Sequence, residues 1–283
     1  MISSDLDDLF SDAGRLIPRI MQALDFHTSR MTVFDAVAAD LTATSAVLLL
    51  LGRCGQAGGT PGDICLILNK RSPRVRQAGD LCCPGGSVSP RFDFYAARLL
   101  GLPLAPLGRW PCWRAWRRER PFESRWLALY FATALREAFE EMRLNPLRVR
   151  FLGPLPQHRL VLFRRLIYPL AAWAPRQQRF KPNWEVERIM GIPLRQLLNP
   201  EHYIRYRLTM ALSSEAEQPD QVREVPAFRF PSADGPAILW GATYRITQAF
   251  LQTVFGFSPP AMGGLPLVSG HLGKTYLTGE RYP

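Results

Sequence analysis

The stretch from residue 131 to residue 144 constrains the fold most, because it combines an apolar helical stripe with a row of carboxylates. Apolar residues recur at the three- and four-residue spacing of one buried helix face: Leu135, Ala138, Phe139 and Met142. The spacing i, i+3, i+4 also brings three acidic residues to one face: Glu137, Glu140 and Glu141. The sequence therefore predicts a helix that begins at Phe131 or earlier, ends at Leu144 and packs on a core.

The three carboxylates indicate a cation site. Like charges at this spacing repel one another, so a solvated helix gains nothing from them unless a cation lies between them. Hard cations such as Mg²⁺ prefer oxygen ligands of this kind, usually together with substrate phosphates. The alternative is an acidic helix face exposed to solvent, with no ligand.

A glycine turn lies upstream of the helix. Leu81–Cys83 is predicted to form a short strand that leads into Pro84-Gly85-Gly86. Glycine has no Cβ, so the backbone of such a turn can approach a phosphate closely. The turn and the helix together indicate a site for a phosphorylated ligand.

The pair of segments resembles the Nudix box, which is a glycine, a spaced glutamate, and then Arg-Glu-x-x-Glu-Glu-x-Gly with an apolar residue. Six positions match: Gly86, Arg136, Glu137, Glu140, Glu141 and Leu144. The sequence departs from the box at two positions, since Phe92 replaces the loop glutamate and Arg143 replaces the glycine after the helix. Asp93 is the carboxylate nearest to the missing glutamate. An insertion at about residues 94–128 separates the two halves of the box.

Three further segments resemble the coenzyme A pyrophosphatase branch of that superfamily. Residues 66–86 are similar to the segment that precedes the box in this branch, and residues 183–194 and 238–246 are similar to two later stretches. The gap between Arg76 and Gly79 is one residue short, and Cys83 replaces the phenylalanine before Pro-Gly-Gly.

The resemblance implies a site and a reaction. Glu140 and Glu141 would be the main ligands of Mg²⁺ or Mn²⁺, with Glu137 as a further ligand or as the base toward the attacking water, and Arg136 would fix the helix through ion pairs. Glu185 is a candidate additional metal ligand. The candidate substrate contacts are Arg71, Arg74, Arg76, Gly85 and Gly86. The implied reaction is hydrolysis of coenzyme A or an acyl-CoA to 3′,5′-ADP and phosphopantetheine.

Two alternatives remain open. Cys83 and the shortened Arg76–Gly79 spacing favour another nucleotide substrate of the same chemistry, such as NADH, a dinucleotide or a nucleotide sugar. Phe92, Arg143 and the long insertion favour a Nudix-fold nucleotide-binding or regulatory protein with weak or no catalysis. The intact helical carboxylates favour the enzyme.

The expected fold is of the α+β or α/β class, and the resemblance implies a Nudix fold with a mixed β-sheet between helices. The predicted organisation is an N-terminal helical extension (1–42), a Nudix domain (43–257) and a Gly- and Pro-rich tail (258–283) that wraps around the core or is partly disordered. The N-terminal stripe at residues 5–26 predicts two helices, broken at Gly14 and Pro18.

The apolar runs predict the remaining elements. Two hairpins are expected, one of Ala46–Arg53 with Ile64–Asn69 and a later one of Val225–Phe230 with Ala237–Trp240. The other expected elements are strands at Arg148–Leu155 and Leu160–Ala172, a strand or loop at Glu185–Met190, and helices near Arg195–Leu198 and at Thr243–Phe255.

The insertion is rich in tryptophan and arginine. Residues 109–120 contain three tryptophans and five arginines, and two of these arginines are the first and the last residue of the segment. They can form a helical excursion with tryptophans packed on the core, a lid over the substrate, or a surface for a membrane interface or single-stranded nucleic acid.

Charge and cysteine content limit the possible partners. The net charge of +11 is nearly all arginine, which suits an anionic substrate such as a polyphosphorylated nucleotide or reflects only a GC-rich coding sequence. The five cysteines form an odd set without Cys-x-x-Cys spacing, which predicts no disulfide framework, no zinc site and a reducing compartment. The sequence predicts a cytoplasmic protein with no integral membrane segment and no nucleic-acid partner, and leaves a homodimer open.

Overall fold

Two β-sheets form the framework of the protein. The computed structural model describes residues 9–34, 41–55, 62–160, 165–175, 179–210, 221–232, 235–273 and 276. The larger sheet contains β1 (Thr44–Arg53), β2 (Ile64–Arg71), β3 (Leu81–Cys82), β4 (Gly85–Ser87), β5 (Arg150–Pro154), β6 (His158–Leu160), β7 (Arg165–Trp173) and β8 (Val186–Pro193). The smaller sheet contains β9 (Tyr203–Met210), β10 (Gln221–Phe230), β11 (Ala237–Leu239) and β12 (Leu267–Leu272).

The larger sheet is mixed. Its central strand β1 pairs antiparallel with β2 and parallel with β7, while β4 pairs with the first half of β1. β3 and β8 pair with β2, and β5 and β6 pair with β7. The expected mixed-sheet α+β class and both predicted hairpins are therefore confirmed, the later one as β10 with β11.

Helices cover the larger sheet. Every residue of β1 up to Gly52 is buried, and because successive side chains of a strand point to opposite faces, both faces of this strand are covered. The helices are α1 (Ala13–Thr28), α2 (Pro90–Leu100), α3 (Trp113–Glu119), α4 (Pro121–Met142), α5 (Leu194–Leu197) and α6 (Gly241–Phe255). α4 packs on β1 and β4, α1 packs on β5 and α6, and α2 and α3 pack on α4.

The carboxylate helix α4 is longer than its motif. It begins with Pro121 at its first turn, where the missing N–H costs nothing, and it ends at Met142. Arg143 follows in the left-handed conformation, with φ 56°, and its N–H donates to Phe139 O at 3.0 Å. The Nudix box has glycine at this position, and glycine adopts this conformation without strain.

Replacement of Arg143 by glycine is expected to stabilise the protein by about 0.5–1 kcal/mol. The left-handed conformation costs a non-glycine residue about 1 kcal/mol, and a favourable contact of the Arg143 side chain offsets only part of this cost. This favourable contact is made by the Arg143 guanidinium, which lies over the exposed Phe139 ring at 5.2 Å from the ring centroid. Urea unfolding of both proteins measures the difference. A less stable glycine variant would show that the cation–π contact outweighs the backbone strain.

The predicted breaks in the N-terminal stripe are wrong. Residues 9–11 are helical, the chain breaks at Asp12, and α1 then runs without interruption past Gly14 and Pro18. Asp12 caps the new helix, because its Oδ1 accepts from Gly14 N at 2.8 Å and from Arg15 N at 3.3 Å. Burial of one face of α1 offsets the backbone hydrogen bond that Pro18 removes. Residues 1–8 and 35–40 lie outside the described residues.

The smaller sheet contains two strands that the sequence did not predict. β9 pairs antiparallel with β10 and parallel with β12, and β12 lies in the segment expected to be a tail. Parallel pairing leaves no local turn signal, since the partners lie far apart in sequence. The single strand predicted at Leu160–Ala172 is β6 and β7, which pair with each other, while residues 161–164 lie outside the described part.

One pair of cysteines contradicts the expected absence of disulfides. Cys54 and Cys65 are disulfide-bonded, with Cα atoms 5.3 Å apart. They meet because the β1–β2 hairpin places Gly52 opposite Cys65, and Cys54 directly follows β1. A cross-strand pair has no Cys-x-x-Cys signature, so the spacing criterion missed it. Cys82, Cys83 and Cys112 are free thiols.

The tryptophans of the insertion pack inward. Trp110, Trp113 and Trp116 are buried, and the Trp110 ring meets Phe151 of β5 edge-on, with centroids 4.9 Å apart. This arrangement is the helical excursion with core-packed tryptophans, and it leaves four of the five arginines of the segment exposed: Arg109, Arg114, Arg117 and Arg118. Among the described residues, no helix is long and apolar enough to cross a membrane.

Candidate functional site

The glycine turn lies directly against the carboxylate helix. Gly85 and Gly86 form β4, opposite Val47 and Ala46 of β1. An added Cβ on Gly86 would lie 2.5 Å from Cδ of Glu137, and one on Gly85, whose φ is 148°, would overlap the carbonyl oxygen of Ala46. Gly85 therefore requires glycine, because the backbone of β1 lies against it, whereas a side chain at Gly86 would displace the Glu137 carboxylate.

Glu141 joins the turn to the sheet. Its buried carboxylate accepts hydrogen bonds from Gly85 N at 3.1 Å and from Asn69 Nδ2 at 2.9 Å. Burial raises the pKa of Glu141 to about 8, with Glu137 and Glu185 adding to the shift and Gly85 and Arg71 opposing it. Asn69 Oδ1 is buried beside this carboxylate and has no hydrogen-bond partner among the described residues. The region around Glu141 is therefore buried and contains an oxygen atom, Asn69 Oδ1, without a hydrogen-bond partner among the described residues.

Arg136 is shared by the other two helical carboxylates. Its Nη2 lies 2.9 Å from Glu137 Oε1, and its Nη1 lies 3.2 Å from Glu140 Oε1. Glu140 is half exposed, whereas Glu137 is largely covered. Burial raises the pKa of Glu137, and the Arg136 charge opposes that shift. The predicted role of Arg136 in orienting the carboxylates is consistent with these contacts.

Asp93 holds Arg136 from the other side. Its buried carboxylate receives Arg136 Nε at 2.8 Å, Thr133 Oγ1 at 2.8 Å and Ser89 N at 2.7 Å. Phe92, which occupies the position of the missing loop glutamate, is 70% exposed. The carboxylate nearest to that position, Asp93, is therefore engaged in an ion pair with Arg136.

The side chains fit a hard divalent cation by their chemistry but do not converge on one in their present orientations. Within the described ranges, no group of three or more His, Cys, Asp or Glu side chains is placed to hold a metal ion. Glu137 and Glu140 are directed at Arg136, and Glu141 is directed at Asn69 and Gly85. Carboxylate oxygens are nevertheless the ligands that Mg²⁺ or Mn²⁺ prefers, although Glu137 and Glu140 now share one arginine. Asn69 Oδ1 adds a neutral oxygen that has no hydrogen-bond partner among the described residues.

Glu185 reaches the same region from the start of β8. Its charge is one of those that raise the pKa of Glu141, and Asn183, two residues before it, donates its N–H to the carbonyl of Glu141 at 2.9 Å. Its backbone N–H donates to Asn183 Oδ1 at 2.9 Å, and its carbonyl accepts from Ser72 N at 2.8 Å. These bonds fix the backbone of the segment that carries this candidate ligand.

The three candidate arginines divide into one near the site and two on the surface. The Arg71 charge lowers the pKa of Glu141, and its Nε donates to Arg76 O at 2.7 Å. Arg74 and Arg76 are exposed on the loop that follows β2. Arg71 therefore lies within electrostatic reach of Glu141, whereas Arg74 and Arg76 are exposed to solvent.

Arg165 is a site residue that the sequence did not reveal. It begins β7, and its Nη1 donates to Ser45 Oγ at 3.0 Å and to Ser87 Oγ at 2.5 Å. Arg136 Nη2 donates to the carbonyl of the same Ser87 at 3.0 Å. Two guanidinium groups therefore flank the last residue of the glycine turn. Arg165 reaches this place only because β7 lies parallel to β1, and no local motif signals that pairing.

A second cluster adjoins Arg71. Asp80 accepts hydrogen bonds from Trp240 Nε1 at 3.0 Å and from Tyr276 Oη at 2.5 Å. Burial raises the pKa of Asp80 to about 6, and both hydrogen bonds and the Arg71 charge oppose the shift. The cluster joins two of the segments that resemble the coenzyme A branch, residues 66–86 and 238–246.

Asp80→Asn is expected to change how stability depends on pH. The pKa of Asp80 is about 6 in the folded protein and has the ordinary value of about 3.8 in the unfolded chain, so the folded state binds more protons between these values. The contribution of Asp80 to stability therefore falls as the pH rises from about 4 to about 6. Relative to wild type, Asp80→Asn should gain about 1–2 kcal/mol between pH 4 and pH 7, measured by urea unfolding. A pH-independent difference would contradict the raised pKa.

Comparisons with known proteins return Nudix proteins among solved structures. No family model matches the sequence, and no curated protein matches it. The chain is similar to the Nudix hydrolase RenU from M. smegmatis, with 16% identity, a TM-score of 0.34, and coverage of 55% of this chain and 73% of that one. It is also similar to the NUDIX domain of NrtR from Shewanella oneidensis complexed with ADP ribose, with 15% identity, a TM-score of 0.32, and coverage of 62% of this chain and 86% of that one. A third similar structure is a C. elegans Ap4A hydrolase in a binary complex, with 13% identity, a TM-score of 0.33, and coverage of 55% of this chain and 83% of that one. At these identities and TM-scores, no conclusion about activity follows from the likenesses.

Proposed function

We propose that the protein hydrolyses the diphosphate of a nucleoside diphosphate derivative with the help of Mg²⁺ or Mn²⁺, and that its substrate is coenzyme A or an acyl-CoA. The observation that carries the proposal is the contact between the glycine turn and the carboxylate helix. Gly86 lies against Glu137, and Gly85 N donates to Glu141, although the two segments are separated by the whole insertion. A glycine segment and a carboxylate face suited to a cation therefore lie side by side.

The divalent cation would be held by Glu140 and Glu141, with Glu137 and Glu185 as further ligands. When bound, such a cation polarises phosphoryl oxygens and makes water more acidic. Arg136 keeps Glu137 and Glu140 oriented through ion pairs, and Asp93 fixes Arg136 in turn. Arg71, whose charge acts on Glu141, and Arg165, which donates to Ser87 after the glycine turn, would bind the diphosphate charge.

The reaction needs one water molecule and no further reactant. Water attacks one phosphorus of the diphosphate while its proton passes to the Glu137 carboxylate. The bond from that phosphorus to the bridging oxygen then breaks, and coenzyme A leaves as 3′,5′-ADP and phosphopantetheine. Glu137 suits the role of base because it lies between the glycine turn and Arg136, within reach of a phosphate held by the turn.

The coenzyme A assignment rests on the resemblance of residues 66–86, 183–194 and 238–246 to that branch. Two observations support it: the first and third of these segments meet through Asp80 and Trp240, and Glu185 of the second adjoins Glu141. The exposed Arg74 and Arg76 would contact the 3′-phosphate. Cys83 and the short Arg76–Gly79 spacing keep another nucleotide, such as NADH, a dinucleotide or a nucleotide sugar, as the alternative substrate.

A binding protein without catalysis is the second candidate function. The observation that favours it is the orientation of the carboxylates, since Glu137 and Glu140 face Arg136 and Glu141 faces the sheet. In such a protein the glycine turn and the arginines would bind the nucleotide, and no cation would be needed.

A substrate panel tests the proposal. Purified protein is incubated with Mg²⁺ or Mn²⁺ and coenzyme A, acetyl-CoA, NADH, a dinucleoside polyphosphate or a nucleotide sugar, and the products are separated by chromatography. Release of 3′,5′-ADP that stops on addition of a chelator is the expected result. Turnover of another compound alone would replace coenzyme A as the substrate. Nucleotide binding without turnover of any compound would establish the second candidate.

Arg165→Gln is expected to raise KM by about 10- to 100-fold with little change in kcat, because a hydrogen bond from a charged donor to phosphate contributes about 1.5–3 kcal/mol. Steady-state kinetics measure the split, and Arg165→Lys should recover part of the loss. The matched control is Arg159→Gln, since Arg159 is exposed on the neighbouring β6. Equal kinetics of the Arg165→Gln variant and the control would remove Arg165 from the site.

A further inference from the structure

The helix α2 and the turn after it expose an unusual concentration of apolar side chains. The described residues contain fourteen large exposed apolar side chains, and six of them lie within thirteen consecutive positions: Phe92, Phe94, Tyr95, Leu99, Leu102 and Leu104. Tyr95 is 70% exposed and Leu104 is 88% exposed. Scattered exposed apolar residues need no explanation, but a concentrated set marks an interaction surface. We call residues 90–104 the apolar ridge.

The ridge is held in place by its other side. Asp93 and Leu100 of α2 are buried, and Asp93 is bonded to Thr133 and Arg136 of α4. The turn after α2 is closed by backbone hydrogen bonds, from Leu102 N to Leu99 O at 3.1 Å and from Leu107 N to Leu100 O at 3.1 Å. The exposed side chains are therefore carried on an ordered support. They face away from α4 because the helix already uses its opposite face.

Positive charge accompanies the apolar ridge. Residues 90–120 contain seven arginines and two carboxylates, a net charge of +5 out of +11 for the chain. Two of the arginines, Arg91 and Arg98, line a shallow depression of about 610 Å³ together with Pro90, Phe94 and Tyr95. Of the two carboxylates, Asp93 is buried and paired with Arg136, and Glu119 lies 2.7 Å from Arg118. The ridge therefore presents aromatic and leucine side chains beside unopposed arginine charge.

We propose that the apolar ridge docks the protein on an anionic lipid bilayer, with Tyr95, Leu99 and Leu104 entering the headgroup and acyl boundary and Arg91 and Arg98 binding lipid phosphates. An amphipathic surface with aromatic and leucine side chains beside arginines has the chemistry of such an interface. A second copy of the chain fits less well, because two faces of the same positive charge would repel. Nucleic acid fits less well, because bases would stack on Phe92, Phe94 and Tyr95 but would leave Leu99, Leu102 and Leu104 exposed to water.

The docking surface is distinct from the proposed active site. The opposite side of α2 contacts Arg136, so a membrane-bound protein keeps the glycine turn and the carboxylates on the other side of the helix from the lipid. The proposal goes beyond the hydrolytic function and does not depend on it. Its test therefore uses lipid binding as the readout, with hydrolysis of soluble substrate measured in parallel.

The test is co-sedimentation of the full chain with vesicles. Phosphatidylglycerol–phosphatidylcholine vesicles and pure phosphatidylcholine vesicles are compared at low and high salt. Binding to the anionic vesicles alone is expected. The triple variant Tyr95→Ser/Leu99→Ser/Leu104→Ser should bind at least tenfold more weakly, and Arg91→Gln/Arg98→Gln about 25-fold more weakly, since each arginine near an anionic surface contributes about fivefold. The matched control is Phe26→Ser/Leu147→Ser/Val222→Ser, whose residues are 57%, 68% and 56% exposed elsewhere.

Three results would overturn the proposal. Absence of wild-type binding to the anionic vesicles would do so directly. Undiminished binding by the apolar triple variant would show adsorption by charge alone. A dimer seen by light scattering without lipid, and lost in the apolar triple variant, would assign the ridge to a contact between two copies. Unchanged hydrolysis and thermal unfolding in all variants would show that loss of vesicle binding reflects the surface and not misfolding.

Discussion

Glu140→Gln is expected to reduce hydrolysis by about 10²–10³-fold while leaving the folded protein intact. The substitution keeps the shape of the side chain and removes its charge, and a neutral amide is a poor ligand for a hard divalent cation. Loss of one such ligand removes a few kcal/mol of transition-state stabilisation, which corresponds to this loss of rate. The fold should tolerate the change, because Glu140 is half exposed and its ion pair with Arg136 spans 3.2 Å.

The measurement is kcat at saturating Mg²⁺ or Mn²⁺ together with the thermal unfolding temperature. Glu119→Gln is the matched control, since Glu119 is also an exposed helical glutamate paired with an arginine but lies on α3. The control should retain full activity. Full activity in Glu140→Gln would show that Glu140 is not a metal ligand.

Gly86→Ala is expected to lower activity by about 100-fold and stability by about 1 kcal/mol or less, since the flexible Glu137 side chain can move aside at the loss of its ion pair. The new methyl group would lie 2.5 Å from Cδ of Glu137, closer than any real contact of a Cβ atom. β4 cannot move away, because it is hydrogen-bonded to β1, so Glu137 must move and leave its ion pair with Arg136. The substitution thus displaces the proposed base without removing a functional group.

Kinetics and urea unfolding of Gly86→Ala separate the two effects. The matched control is Gly263→Ala, because a Cβ at Gly263 would have no atom within 4 Å. Wild-type activity in Gly86→Ala would show that Glu137 works from another position. An equal loss in both variants would point to a general cost of replacing glycine.

Local patterns predicted the elements that depend on local residues. The period of the apolar residues located α4 and α6, and two apolar runs separated by a glycine-rich segment located the β1–β2 hairpin. The sequence also predicted that the glycine turn and the glutamates form one site for a phosphorylated ligand. Their contact in the structure follows from β4 pairing with β1 and α4 packing on both.

Residues that meet through distant pairings could not be predicted. Arg165 joins the site because β7 pairs in parallel with β1, and β12 pairs in parallel with β9. Neither pairing leaves a turn signal in the sequence. The disulfide of Cys54 with Cys65 depends in the same way on strand register and not on cysteine spacing.

The position of Asp93 shows why counting along a motif fails at a helix start. The sequence places Phe92 where the loop glutamate is expected. In the structure, α2 begins at Pro90, and the helix turns Asp93 inward to Arg136 while Phe92 points outward. The direction of a side chain on a helix changes by about 100° per residue, so a shift of one position decides between burial and exposure.

The parallel contact of β1 with β7 also bears on how fast the molecule reaches its native state. Ser45 and Arg165, which meet across this contact, are 120 positions apart in the chain. The chain must lose the entropy of closing this long loop before the strand pairing can stabilise it. Chains dominated by such distant pairings therefore fold in milliseconds to seconds, not microseconds. The contact of Arg165 with Ser45 and Ser87 therefore forms late in folding, and a nascent chain can complete the β1–β7 pairing only after residue 173 has been made.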